Sequence, residues 1–366
     1  MPKTPIAKFP MEEKLLLAGE PLAANATRSW SSCFPVGKGA GETWERIRIQ
    51  LHLAMTAAGV WTFPVHAGAY NFIRRITLVT SDGETLVDAP GTAFLILNRY
   101  LEHHMPWFDP FVVACTGLTF NAVIDIPLGF SNLRKPEDGY LDSGAYSGLT
   151  LTITTGTNVV AGAGFFDLGV GNAGANAQVA TFDLSIIRTK AGMFNNEAVK
   201  PLYVPYIKYI GSLTPSNAVQ RFNIESAPDL ALFGFGLCHG AVARAPFDHV
   251  TAATGLSSES DAITSVTFGD NIIPNIVDRK QLTSFQTERH RDFNEVYPVA
   301  PNVVPNIPTV SLIGKYFHNF VPDGSVYGAY PTANKSECYI TYAGGGAGTN
   351  TVDCLLWGFR TKRRVI

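Results

Sequence analysis

Eight histidines are the first residues with chemistry to offer. A metal centre of the duplicated-cupin type needs two of them one residue apart, then a carboxylate and a third imidazole facing into one barrel. No His-x-His occurs. His103 and His104 are adjacent at the end of a helical pattern, where consecutive side chains diverge by about 100° and do not share an ion easily. A favourable contact with the helix dipole is their simpler role. Glu288, His290 and Asp292 alternate on a second helical pattern, which scatters them around the axis as a solvated face. There is no Gly-x-Ser-x-Gly elbow and no Gly-x-x-x-x-Gly-Lys phosphate loop. The glycine clusters at 37–41 and 344–348 lack a following Lys-Ser/Thr and read as flexible loops. Cys33, Cys115, Cys238, Cys338 and Cys354 are far apart and odd in number, so they read as reduced, mostly buried thiols. Arg360, Lys362, Arg363 and Arg364 could touch phosphates, but no long basic arm accompanies them, and solvation or ion pairing at an interface fits better. The residues nominate no catalytic, cofactor-binding or metal-ligating set.

The elements that would position such groups belong to a chain of 366 residues, long enough for about two ordinary domains. Hydrophobic residues make up 46%, which excludes a disordered chain. Charged residues are only 16%, against roughly 25% in an average soluble domain. With 34 Gly and 23 Pro, that composition suits an all-β protein whose surface is partly covered by apolar contact with other chains. A net charge of -2 gives no global field toward nucleic acid or membrane. Met11 to Leu22 contains Glu12, Glu13, Lys14 and Glu20, so it is no signal peptide, and no apolar run is long enough to span a bilayer. The weakly amphipathic Met11–Leu17 could lie on lipid or pack on a neighbouring subunit.

The dominant period is two. From Arg46 to Met55 every odd position is apolar, which predicts a strand with one buried and one wet face. Leu149, Leu151 and Ile153 alternate with threonines, and Phe182, Leu184 and Ile186 with Asp183 and Ser185. Ile76–Val79, the turn signal Ser81-Asp82-Gly83, and Thr85–Val87 predict a hairpin. Two short surface helices are expected, one from Thr92 through His104 and one beginning at Asp278 with an Asp-x-x-Gln capping signal.

The halves of the chain resemble each other. Thr181-Phe182-Asp183 recurs as Thr351-Val352-Asp353, and Arg188-Thr189-Lys190 as Arg360-Thr361-Lys362. Between these motifs run Leu184–Ile187 and Cys354–Phe359, both apolar. Ile76-Thr77-Leu78 matches Val266-Thr267-Phe268, and the stretch 150–154 matches 338–342, in the same order. A repeat of about 170 residues is far too long for a solenoid unit and is one whole domain occurring twice. The predicted organisation is an N-terminal extension (1–24), a first eight-stranded antiparallel jelly roll (25–192), a linker (193–204) and a second jelly roll (205–366), each a separate pair of stacked sheets. The proline-rich stretch 297–308 is a loop of the second copy.

This all-β, two-copy pattern, from about Asn25 to Ile366, resembles the double jelly-roll major capsid proteins of tailless icosahedral viruses, the tectivirus-like and adenovirus-like lineage that includes bacteriophages. The resemblance rests on architecture, and that family carries no catalytic residues. It implies a structural virion protein forming a homotrimeric, pseudo-hexagonal capsomer. Its partners would be neighbouring capsomers, a vertex (penton) protein and an internal lipid membrane reached through the N-terminus. It further implies no cofactor and no sequence-specific nucleic acid, with a place in the virion shell after assembly in the host cytoplasm. An enzyme of two jelly rolls (a glycan amidase or bicupin) and a carbohydrate- or receptor-binding virion module remain alternatives of other classes.

Overall fold

The computed structural model describes residues 11–37, 42–62, 70, 72–101, 114–130, 133, 139–156, 167–168, 178–189, 203–213, 219–241, 263–270, 274–278, 315–321, 324–344 and 350–361. Ten strands belong to the first half: β1 (Met11–Leu22), β2 (Thr27–Trp30), β3 (Thr43–Thr62), β4 (Ile73–Thr80), β5 (Thr85–Ala89), β6 (Ala114–Pro127), β7 (Leu141–Asp142), β8 (Leu149–Thr155), β9 (Asp167–Leu168) and β10 (Gln178–Thr189). Nine belong to the second: β11 (Tyr203–Leu213), β12 (Gln220–Ile224), β13 (Leu230–Ala241), β14 (Ile263–Asp270), β15 (Pro274–Asp278), β16 (Lys315–Asn319), β17 (Tyr330–Pro331), β18 (Cys338–Gly344) and β19 (Asn350–Thr361). The helix α1 spans Gly91–Leu101.

Three sheets result. The first has the order β1-β10-β3-β6; the second runs β16-β13-β19-β11-β5-β4-β8-β2; the third is β12-β18-β14-β15. Cutting the second sheet between β11 and β5 leaves two sandwiches of identical strand order. One stacks β1-β10-β3-β6 on β5-β4-β8-β2, and the other stacks β11-β19-β13-β16 on β15-β14-β18-β12. That order is the jelly roll, so the chain is an all-β double jelly roll. The minor strand β7 pairs with the start of β3, and β17 pairs likewise with β13.

Each repeated motif lands on equivalent strands. Thr181-Phe182-Asp183 and Thr351-Val352-Asp353 lie in β10 and β19, and the Ile76 and Val266 triplets in β4 and β14. The bulges agree as well: the first strand of each copy breaks register between Leu15 and Leu17, and between Tyr209 and Gly211. The repeated Arg of the Arg-Thr-Lys motif does the same job twice. Arg188 pairs with Glu42, which immediately precedes β3, and Arg360 with Asp229 (3.1 Å), which immediately precedes β13. Two matches slip. Counted from the shared bulge, Arg188 opposite Glu12 corresponds to Gly358 opposite Tyr206, so the Arg-Thr-Lys motif is displaced by two residues. The stretch 338–342 is displaced by one. Leu78 stands opposite Leu151 and Phe268 opposite Ile340, so Leu151 corresponds to Ile340 and not to Tyr339. Alternation fixes which side chains face inward, and a shift by one would turn every one of them out.

The inward positions are as the period predicts. Ile47, Ile49 and Leu51 are buried with Ile76, Leu78, Leu151, Ile153, Leu184 and Ile186 in one core. The hairpin forms between β4 and β5, where Gly83 supplies a positive φ of 83° and its N–H donates to the Thr80 carbonyl at 3.0 Å. A second core lies inside the other jelly roll, where Val352, Cys354 and Leu356 meet Phe222, Phe268 and Ile340. The alternate residues Leu355, Trp357 and Phe359 join the first core. Thus β19 is buried on both faces, which is why Cys354–Phe359 reads as a continuous apolar run. Trp357 lies against Gly234, where an added Cβ would stand 2.5 Å from the indole and 2.2 Å from the His318 carbonyl oxygen.

Four expectations change. Residues 11–22, assigned to an N-terminal extension, form β1 and pair with β10 along its length; Leu16 and Leu17 pack on the first core, which holds this segment in the sheet. The linker and second jelly roll meet two residues early, since β11 begins at Tyr203. The copies are not separate sheet pairs: β5 and β11 join in parallel, Val87 opposite Ile207 and Asp88 opposite Lys208. Pairing removes two exposed strand edges from water at once. Asp278 ends β15 and starts no described helix; residues 279–292 of that expected helix lie outside the described residues, as do His103 and His104 at the end of the first.

Candidate functional site

The outer face of the first sheet is a polar row drawn from all four strands. His52 on β3 bridges Asn121 on β6 (Nδ1 to Oδ1, 2.7 Å) and Asp183 on β10 (Nε2 to Oδ2, 3.1 Å). The Gly19 N–H of β1 donates to the other oxygen of Asp183 at 2.7 Å. This is a carboxylate–imidazole pair, but its third member is an amide rather than a nucleophile. Beside it, Arg48 grips Asp125 with two hydrogen bonds of 2.8 and 3.0 Å. That bidentate geometry raises the Arg48 pKa, with burial opposing it. Asp125 is fully buried and also faces Arg46 at 3.5 Å. Glu13 on β1 completes the row, accepting from Arg48 (3.3 Å) and from the Ser185 hydroxyl (2.6 Å). Sequence reasoning searched the histidines for a metal site, did not consider His52, and missed this row. The signal was present as polar residues at alternate positions of two strands, but nothing local says that those strands are neighbours.

The equivalent face in the second copy has the opposite character. Asp183, Ser185 and Ile187 correspond to Asp353, Leu355 and Trp357, and the second-copy face is buried against the first copy. Phe130, beyond β6, meets Phe233 of β13 edge to face at 5.4 Å. Arg360 lies 3.7 Å from Glu84 in the first-copy hairpin and 3.0 Å from Glu225. Arg360 therefore serves in ion pairs at the junction between copies; Lys362, Arg363 and Arg364 lie outside the described residues.

Among the described residues, no group of three or more His, Cys, Asp or Glu side chains is placed to hold a metal. Glu288, His290 and Asp292, and the glycine cluster 345–348, lie outside them. Cys33, Cys338 and Cys354 are free thiols, and burial pushes the Cys33 pKa up to about 11. A high pKa leaves little nucleophilic thiolate. An open pocket of about 490 Å³ is lined by Arg221, Asn223, Ile224, Ser336, Glu337 and Cys338, but Arg221 is already engaged by Glu337 at 3.0 Å. No described helix is long and apolar enough to cross a membrane. Among the described residues, the exposed large apolar side chains are Leu15, Val219 and Tyr327. The apolar excess goes into two cores and a sheet buried on both faces.

No protein-family model matches the sequence, and no curated protein matches it. Solved structures do. The chain is similar to the major capsid protein of Sulfolobus turreted icosahedral virus at 14% identity, with 96% of this chain and 97% of that one covered and a TM-score of 0.62. It is similar to a chain of the PBCV-1 virus capsid (11% identity, 96% and 93% covered, TM-score 0.57). It is similar to the major capsid protein of bacteriophage PM2 (9% identity, 97% and 99% covered, TM-score 0.53). At such identities the likeness is one of fold, and it extends over both jelly rolls.

Proposed function

We propose that the chain is the major capsid subunit of an icosahedral virus, a building block rather than an enzyme. The junction between the copies carries this reading. Within one chain, the second sheet of the first jelly roll meets the first sheet of the second. The first sheet of copy one and the second sheet of copy two are left over, and they are the two halves of a further junction of the same kind, between chains. Head-to-tail contacts close into a ring when the rotation per step divides a full turn. A homotrimer repeats the junction at about 60° per step, three times within chains and three times between them. Its outline is pseudo-hexagonal and tiles a shell with one gene product.

Fold likeness over nearly the full chain to proteins described as major capsid proteins supports the same reading. The repeating units are then residues 11–189 and 203–361. Partners are further copies of the chain in neighbouring capsomers and a separate vertex protein at the fivefold positions. The location is the virion shell, assembled in the host cytoplasm. With residues 11–22 held in β1, contact with an internal membrane falls to other residues. The near-neutral net charge of -2 supports no role in binding a particular nucleic-acid sequence. Light scattering tests the reading: three chains of 39.5 kDa in one particle, and sheets or shells on concentrating, are expected. A monomer at every concentration, with no larger assembly, overturns it.

A further inference from the structure

The bond that joins the copies within a chain is a strand pairing, and its counterpart between chains can be placed residue by residue. Inside the chain, the outer edge of β11 pairs in parallel with β5: Ile207 opposite Val87, Lys208 opposite Asp88. The strands equivalent to these are β1 and β15. Each is the last strand of its sheet, β1 beside β10 and β15 beside β14, and no described strand takes its outer edge. Unpaired edges of this kind are templates for another strand.

The registers supply the correspondence. Ile207 and Lys208 stand opposite Trp357 and Leu356, whose equivalents Ile187 and Ile186 stand opposite Glu13 and Lys14. The bulge that follows at the same distance in both strands fixes this alignment without reference to side-chain type. On the other side, Val87 and Asp88 pair with Leu78 and Thr77, whose equivalents Phe268 and Thr267 pair with Asn275 and Ile276. Resting on the trimer reading above, we infer that β1 of each chain pairs in parallel with β15 of its neighbour. Glu13 then lies opposite Asn275 of the partner subunit, and Lys14 opposite Ile276 of the partner subunit. The third sheet of one chain continues into the first sheet of the next, as the second sheet already continues across the copies. The contact is short, like its model within the chain, so it sets register and rotation while the surrounding faces supply the area.

The test is a double variant, Lys14→Cys with Ile276→Cys, oxidised mildly and run on a denaturing gel without reductant. Directly opposed residues of paired strands lie within the 4.4–6.8 Å Cα separation that a disulfide spans. Covalent dimers and trimers are expected, and none from either single variant or from Leu15→Cys with Ile276→Cys. A particle that light scattering shows to be trimeric but that forms no covalent link overturns the strand pairing and leaves the trimer standing. A monomer overturns both. Hydrogen exchange on the unmodified protein checks the same point without a substitution. Outward amides of residues 12–15 and 275–278 are expected to exchange slowly in the trimer, and fast exchange there overturns the pairing.

Discussion

His318 shows how one residue ties burial to pH. It sits on β16 between Phe235 and Phe320, with ring centroids 5.5 and 4.7 Å away. Burial lowers its pKa to about 4. The imidazole is then neutral in the folded protein well below the pH at which the unfolded chain takes up a proton, near 6.5. Between those two values the unfolded state binds more protons, so stability falls as pH falls through that window. The loss amounts to at most about 3 kcal/mol by pH 4. His318→Phe keeps a ring between the two phenylalanines and removes the titration. Urea unfolding between pH 4 and 6.5 should show a flatter profile for the variant; parallel profiles would falsify a neutral His318.

At the level of elements, the free side of β6 is closed by side chains instead of a strand. The Asn98 side chain of α1 donates to the Asp125 carbonyl at 2.7 Å, and the Tyr70 hydroxyl donates to the Val123 carbonyl. Both are edge carbonyls that no described strand reaches. Covering an edge with a helix is a known protection against pairing with foreign strands. Asn98→Ala leaves the Asp125 carbonyl buried without its donor, at about 1–3 kcal/mol, and opens the edge. A lower urea midpoint together with more aggregate on refolding is the expected result. Loss of stability without aggregate would mean that the helix shields the edge by its bulk alone.

On the scale of the molecule, the two jelly rolls offer unlike faces at equivalent places. The face buried within the chain carries Leu355, Trp357 and Phe359, whereas the equivalent face of the first copy carries the partly exposed Arg48, His52 and Asp183. Apolar burial is not screened by salt, but contacts among partly exposed ions are. Under the trimer reading, contacts that this polar face makes with a neighbouring chain should weaken as salt rises, more than the apolar junction within the chain does. Comparing unfolding midpoints with particle mass from 0.05 to 1 M NaCl separates the two. A mass unchanged over the whole range would show that the contact between chains is apolar after all.

Alternation along Arg46–Met55, the turn at Ser81-Asp82-Gly83 and the doubled Thr-x-Asp and Arg-Thr motifs determined the class, the hairpin and the duplication. Each is a local signal, because a strand states in its own residues which side must be dry. Partners are a different matter. That β1 belongs beside β10, that His52 meets Asp183 across 131 residues, and that Asn98 closes the edge of β6 are choices among many strand pairings with the same period. So is the joining of β5 to β11, which merged two expected sheets into one. The run Cys354–Phe359 marks the boundary between the two kinds of knowledge. Its residues say that both faces are dry, and only the assembled chain decides that one face belongs to its own jelly roll and the other to the copy before it.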